Sequence, residues 1–87
     1  MAQLIKANGE VVEIQPQNGT DFQLSEMRKA IGGGYIEITH TKENKLMIVD
    51  EEGKIKQFPF NPKATSMHKY NDIIVGDVII CELDQVQ

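Results

Sequence analysis

Residues 24–38, LSEMRKAIGGGYIEI, contain the change from helical to strand periodicity that decides the fold. Apolar side chains recur at helical spacing up to Ile31, whereas residues 35–38 alternate as a strand does. Three glycines separate the two patterns, and Gly32 or Gly33 can take the left-handed conformation that ends a helix. The stretch therefore predicts a helix that stops at the glycines and a strand that begins directly after them.

The order of these elements argues against a phosphate-binding loop. Such loops follow a strand and precede a helix, because the helix N-terminus supplies free N–H groups and positive potential. Here the glycines follow the helix, whose C-terminal carbonyl groups would repel phosphate. The run is therefore interpreted as a structural joint. One helix-capping glycine does not explain three, so a remaining glycine is expected to allow a close backbone approach or a bend.

Turn residues divide the rest of the chain into short extended segments. Asn8-Gly9 suits the tight turn of a hairpin, and polar turns bound the strand candidate at residues 46–50. The run KIKQFPF at 54–60 is a further extended segment, which Pro59 must end or confine to a sheet edge.

Asn61-Pro62 is typical of a helix start, with asparagine as the cap and proline in the first turn. The predicted order is ββαβββαβ. This order favours an α+β fold with a small, mostly antiparallel sheet and a single layer of two short helices. A chain of 87 residues holds one core, so residues 1–87 are predicted to form a single domain.

Composition narrows the functional classes. A net charge of −4 provides no general basic field, so nonspecific nucleic-acid binding is not expected. Cys81 is the only cysteine, which excludes an internal disulfide and fits a reducing compartment. No leader pattern and no apolar run long enough to cross a bilayer are present. We expect a soluble cytoplasmic protein without membrane association, acting in the host cytoplasm if a phage encodes it.

Catalytic and metal-binding patterns are weak. His40 and His68 are far apart in sequence, and no metal-ligand spacing links them to a cysteine, so neither a metal nor a cofactor is predicted. The acidic run at residues 50–52 is interpreted as a solvated turn. Cys81 lies in an alternating apolar strand, where cysteine is usually a small buried hydrophobe. The remaining enzymatic alternative is a hydrolase that uses His68 with Asp72 or Glu37.

A ligand site is predicted instead from aromatic and polar residues near glycines. The rings of Tyr35, Phe58, Phe60, His68 and Tyr70 could together stack on a nucleobase or another flat ligand. Alternatively, Phe58 and Phe60 cover the core and Tyr35 packs across a strand. The candidate ligand-binding residues are Tyr35, Glu37, Phe60, Asn61, His68 and Asp72. Three of these have plain structural alternatives: a helix cap for Asn61, a turn cap for Asp72, and the solvent face or a pocket rim for Glu37.

Four stretches taken in order, GGYIE, VDEEGK, PFN and DIIVGD, resemble a small uncharacterised domain family. Its members are found in bacteria, plasmids and tailed phages, and the resemblance covers nearly the whole chain. The family has no assigned catalytic residues. The resemblance implies an accessory gene of a mobile genetic element.

Three functions follow as hypotheses. The first is a non-enzymatic binding module that inhibits a host (defence) factor or sequesters a small nucleotide-like ligand. This module is expected to be a homo-oligomer, since the exposed edge strands of a small sheet can pair between subunits. The second is a structural or regulatory subunit of a phage or bacterial complex. The third is the small hydrolase described above.

Overall fold

The computed structural model describes residues 2–70 and 72–86 and folds them into a five-stranded antiparallel sheet with two short helices. The elements, in chain order, are β1 (Ala2–Ile5), β2 (Val11–Ile14), α1 (Leu24–Ile31), β3 (Ile36–His40), β4 (Leu46–Asp50), α2 (Pro62–Met67) and β5 (Val78–Cys81). A 3₁₀ turn, Leu83–Gln85, follows β5. The predicted α+β class and the antiparallel sheet are confirmed.

The strands lie in the order β2-β1-β5-β4-β3, and every neighbouring pair is antiparallel. The pairs β1–β2 and β3–β4 are hairpins, and in the first Gly9 takes the positive φ of the predicted turn. The C-terminal strand β5 inserts between the two hairpins, so it joins them into one sheet. This arrangement leaves β2 and β3 as the two edge strands.

The sheet is covered on both faces, because β4 and β5 are buried along their whole length. One face, here the α1 face, packs Met27 and Ile31 of α1 against Ile48 and Ile79. The opposite α2 face packs Ala64 of α2 with a second cluster that includes Met47, Val49, Val78 and Ile80. The predicted single layer of helices is therefore wrong. Strands with unbroken apolar runs, such as residues 46–49 and 78–81, must bury both faces, and each helix covers one of them.

Residues 54–60 do not form a sheet strand as predicted. Hydrogen bonds from Lys56 N–H to the Glu52 carbonyl and from Gln57 N–H to the Lys54 carbonyl coil this segment into turns. Gln57 also takes a positive φ of 60°, which interrupts an extended chain. Only Phe60 pairs, in an isolated bridge with Val75. The alternating pattern of residues 54–60 therefore does not add a sixth strand to the sheet.

The glycine run has two structural roles. Gly32 caps α1 with a φ of 131°, and the Gly33 N–H also returns to the Arg28 carbonyl, so the helix ends here as predicted. A side chain at Gly34 would collide with the Nζ atom of Lys56 and approach the carboxylate of Asp50. The third glycine thus permits the close approach of two side chains, those of Lys56 and Asp50, to the backbone.

Candidate ligand-binding site

A pocket of about 250 Å³ opens on the α2 face beside edge strand β3. Its floor is the β4 residue Val49, and one wall is formed by Glu37 and Thr39 of β3. These two side chains share a face because strand residues alternate. The register places them opposite Val49 and Met47, both of which belong to the α2-face core. The other sides are closed by residues 72–75 and by Glu51, Lys54 and Ile55.

His68 fixes the inner wall of this pocket. It directly follows α2, the residue is 4% exposed, and its Nε2 atom lies 3.0 Å from the Thr39 hydroxyl oxygen. Its Nδ1 atom accepts the backbone N–H of Tyr70 at 3.1 Å and that of Asp72 at 3.4 Å. A backbone N–H can only donate, so Nδ1 carries no proton and Nε2–H donates to Thr39. The geometry therefore assigns the neutral Nε2–H tautomer.

Backbone pairing holds His68 beside the sheet. Thr41 and His68 form an isolated antiparallel bridge just beyond the end of β3. The Lys69 N–H donates to the His40 carbonyl at 2.9 Å, and the Lys42 N–H donates to the Met67 carbonyl at 3.0 Å. The chain after α2 is thus attached to the edge strand, and the following residues are directed over the pocket.

The polar lining is predominantly acidic. Glu37, Glu51 and Asp72 contribute exposed carboxylates, and Lys54 contributes an ammonium group. Asp50 also borders the pocket, but its carboxylate pairs with Lys56 Nζ at 2.8 Å and accepts the Glu52 N–H at 2.8 Å. The side chain of Asp50 is only 1% exposed, so Asp50 forms a structural ion pair. The prediction that it belongs to a solvated turn is wrong.

Large apolar side chains surround the mouth of the pocket. Ile55 is 80% exposed, Tyr70 is 68% exposed and Ile73 is 58% exposed, and all three line the pocket. The ring of Tyr70 lies 6.0 Å from that of His68, tilted by 58°. The rim is therefore apolar and solvent-exposed, while the carboxylates lie beside it.

Three of the predicted site residues meet at this pocket. Glu37 arrives from β3, His68 from the end of α2, and Asp72 from the loop before β5. The ring nitrogens of His68 do not bond to these carboxylates. They bond to the Thr39 hydroxyl and to two backbone N–H groups.

Three predicted residues lie outside the pocket lining, and two of them, Tyr35 and Phe60, are exposed. Tyr35 is 66% exposed, and the Arg28 guanidinium lies 5.6 Å from its ring centroid. Phe60 is half-exposed at its bridge with Val75. Tyr35 therefore contacts Arg28, and Phe60 pairs with Val75, away from the pocket lining.

Asn61 is buried and structural. Its Oδ1 atom accepts the Ala64 N–H at 3.0 Å, which confirms the helix-cap alternative. Its Nδ2 group donates to the carbonyls of Ile5 at 3.0 Å and Gly76 at 2.8 Å. Asn61 has no exposed surface, and both ends of its amide are bonded within the protein.

The predicted aromatic cluster does not assemble. Phe58 packs against glycines: a side-chain atom at Gly76 would lie 2.7 Å from its ring, and one at Gly32 would lie 3.0 Å from it. Lys56 Nζ lies 5.6 Å from the Phe58 ring centroid. Within residues 2–70 and 72–86, the only aromatic pair is His68 with Tyr70.

Cys81 is buried in β5 on the α1 face. Burial, together with the neighbouring Glu82 carboxylate, raises the pKa of its thiol to about 11. In the described part of the chain, no three His, Cys, Asp or Glu side chains are grouped to hold a metal ion. No helix of that part is long and apolar enough to cross a bilayer.

Several lining residues were not singled out from the sequence. Thr39 could have been predicted to lie beside Glu37, because residues two positions apart share one face of a strand. The position of Ile55 and Ile73 at the pocket could not be predicted, since an apolar residue in a loop is usually attributed to the core.

A family model described as "Domain of unknown function (DUF3846)" matches residues 2–86. The search of curated proteins and the search of solved structures each found no significant match.

Proposed function

We propose, from the premise that this chain belongs to the DUF3846 domain family, that it is a non-enzymatic binding module of a phage or another mobile genetic element. The proposed origin in a phage or mobile element rests on the resemblance of the sequence motifs to a protein family found in such elements. In this proposal the protein acts in the bacterial cytoplasm by blocking a host factor or holding a small ligand. The pocket beside β3 is the binding site.

The observation that carries this proposal is the convergence of three chain segments on one solvent-accessible pocket. Edge strand β3, the end of α2 and the loop before β5 supply Glu37, His68 and Asp72 to it. Polar groups from separate segments that converge on a concave, partly apolar surface are typical of ligand sites. A volume of about 250 Å³ is small for a drug-sized ligand. It suits a small molecule or a single group projecting from a larger partner.

The bonding of His68 favours binding over hydrolysis. A general base needs a free ring nitrogen close to the substrate. Both ring nitrogens of His68 are occupied, one by Thr39 and the other by backbone N–H groups. Cys81 is no substitute nucleophile, since its thiol is fully buried and its pKa is raised.

Edge strand β2 supports the homo-oligomer that was expected from the sequence. Its side chains are largely exposed, including Val11 at 41% and Val12 at 38%. A short exposed edge can pair with a second copy through backbone hydrogen bonds. The pocket lies at the opposite edge of the sheet, so such pairing leaves it accessible.

Native mass spectrometry after incubation with a bacterial extract tests the proposal. Glu37→Trp fills the pocket from the α2 face of β3, and His40→Trp is the matched control at an exposed position on the opposite face of the same strand. The proposal predicts a bound mass on the wild type and on His40→Trp, lost from Glu37→Trp. A mass retained by Glu37→Trp, or an unliganded wild type, would contradict it.

A further inference from the structure

We infer that the group entering the pocket is the cationic side chain, arginine or lysine, of a partner protein. This inference rests on the proposed function and specifies the chemistry of its ligand. It comes from two independent features of one surface, the charge of the lining and the exposed apolar rim.

The charge of the lining selects a cation. Three carboxylates, those of Glu37, Glu51 and Asp72, line the pocket with the ammonium group of Lys54. A second ammonium group, that of Lys69, lies 5.6 Å from the ring centroid of Tyr70 at the rim, so the balance of charge is still acidic. Asp50 adds no unpaired charge, because Lys56 neutralises it at 2.8 Å. A phosphate in this pocket would face like charges, whereas a guanidinium or ammonium group would be attracted. Of the two ligand classes proposed above, the balance of charge disfavours a nucleotide bound through its phosphate.

The rim points to a macromolecule rather than a free amine. Ile55, Tyr70 and Ile73 are each more than half exposed around the mouth. Large apolar side chains grouped at a concave surface, with polar groups beside them, mark protein-interaction sites. A free amine would leave this rim in water, whereas a partner's surface would cover it. An arginine or lysine side chain also has an apolar stem that can lie along Val49 and Ile74.

The volume agrees with one inserted side chain. About 250 Å³ is below the range for drug-sized ligands, so the pocket has room for a single long side chain. Arginine is enriched at the centres of protein interfaces and can bond two carboxylate oxygens at once. Glu51 and Asp72 lie in two different loops, which places acceptors on two sides of an entering group.

Isothermal titration calorimetry with blocked pentapeptides tests the inference. The first peptide carries a central arginine between glycines. The second carries citrulline in its place, which has nearly the same shape without the charge. We expect the arginine peptide to bind about fivefold or more tightly than the citrulline peptide, with an affinity that falls as salt rises. The variant Glu51→Gln/Asp72→Asn should remove this preference. The control variant Glu10→Gln/Glu43→Gln removes two exposed carboxylates outside the pocket lining and should keep it.

Adenosine monophosphate is the competing probe, and the outcomes separate this inference from the proposed function. Equal binding of both peptides overturns the charge inference and leaves the pocket as a binding site. Tighter binding of adenosine monophosphate than of the arginine peptide also overturns it, and favours a nucleotide-like ligand. Binding of no probe overturns the inference alone, because the extract experiment above tests the proposed function separately.

Discussion

The Nε2 atom of His68 lies 3.0 Å from the hydroxyl oxygen of Thr39, and this bond joins the end of α2 to the edge strand β3. It forms part of the pocket wall and leaves the imidazole ring no free nitrogen. The proposed binding site therefore includes a buried histidine whose tautomer is set by its neighbours.

The tautomer itself is the first prediction. Because the Tyr70 N–H donates to Nδ1, His68 must be the neutral Nε2–H form in the folded protein. Two-bond ¹H–¹⁵N correlation spectra of the imidazole ring measure this directly. A proton on Nδ1 at neutral pH would contradict the assignment and reopen the hydrolase alternative, with His68 as a base.

Thr39→Val should destabilise the protein by about 1–2 kcal/mol, because it leaves a buried Nε2–H group without an acceptor. Thr39→Ser keeps the hydroxyl and should cost clearly less. Urea denaturation of the three proteins measures the difference. Equal losses for valine and serine would show that the bond to His68 adds little.

Asn61 allows a test that separates its two roles. Asparagine and aspartate are equally good helix caps, so capping alone predicts that Asn61→Asp is nearly neutral. The donor bonds to Ile5 and Gly76 predict the opposite, because a carboxylate would face two carbonyl oxygens in a fully buried site. We expect Asn61→Asp to cost about 3 kcal/mol or more, at least as much as Asn61→Ala. A loss below that of alanine would contradict the donor role.

Gly34 and Lys56 should be energetically coupled. Gly34→Ala displaces the Lys56 ammonium group from Asp50, and Lys56→Gln removes the same ion pair. Each change should cost about 1–3 kcal/mol, and the double variant should cost much less than their sum. Urea denaturation of the wild type, the two single variants and the double variant measures this coupling energy. Additive losses would show that the glycine is needed for another reason.

Cys81 should resist thiol reagents in the folded protein. A thiol pKa of about 11 leaves only about a thousandth of the groups as thiolate at pH 8, and burial blocks access to those. Labelling by a coloured aromatic disulfide at pH 8 should therefore proceed only as fast as the protein opens. Rapid stoichiometric labelling without denaturant would contradict the buried position.

Local sequence signals predicted much of the fold. The helix ending at Gly32, the strand after it, the Asn8-Gly9 hairpin and the cap at Asn61 each depend on neighbouring residues. The sequence also held a signal that both sheet faces are covered, namely the unbroken apolar residues 46–49 of β4. This pattern is typical of a strand buried on both sides, and it predicts helices on both faces.

The site was less predictable because its partners are distant in sequence. His68 and Thr39 are separated by 29 positions, and Asn61 and Ile5 by 56. The segment 54–60 has a strand-like pattern, but turn hydrogen bonds coil it, and no local pattern reports whether a segment reaches a neighbouring strand. Glu37, His68 and Asp72 were identified by residue type, and their convergence follows from the topology.

The most direct test of the account is the mapping of ¹H–¹⁵N chemical shifts while the arginine pentapeptide is added. The account predicts progressive shifts confined to the pocket, at residues 37–39, 51–55 and 72–75, and their loss in Glu51→Gln/Asp72→Asn. Shifts centred instead on the α1 face, around Leu24 and Met27, or no shifts in the pocket at saturating peptide, would contradict it.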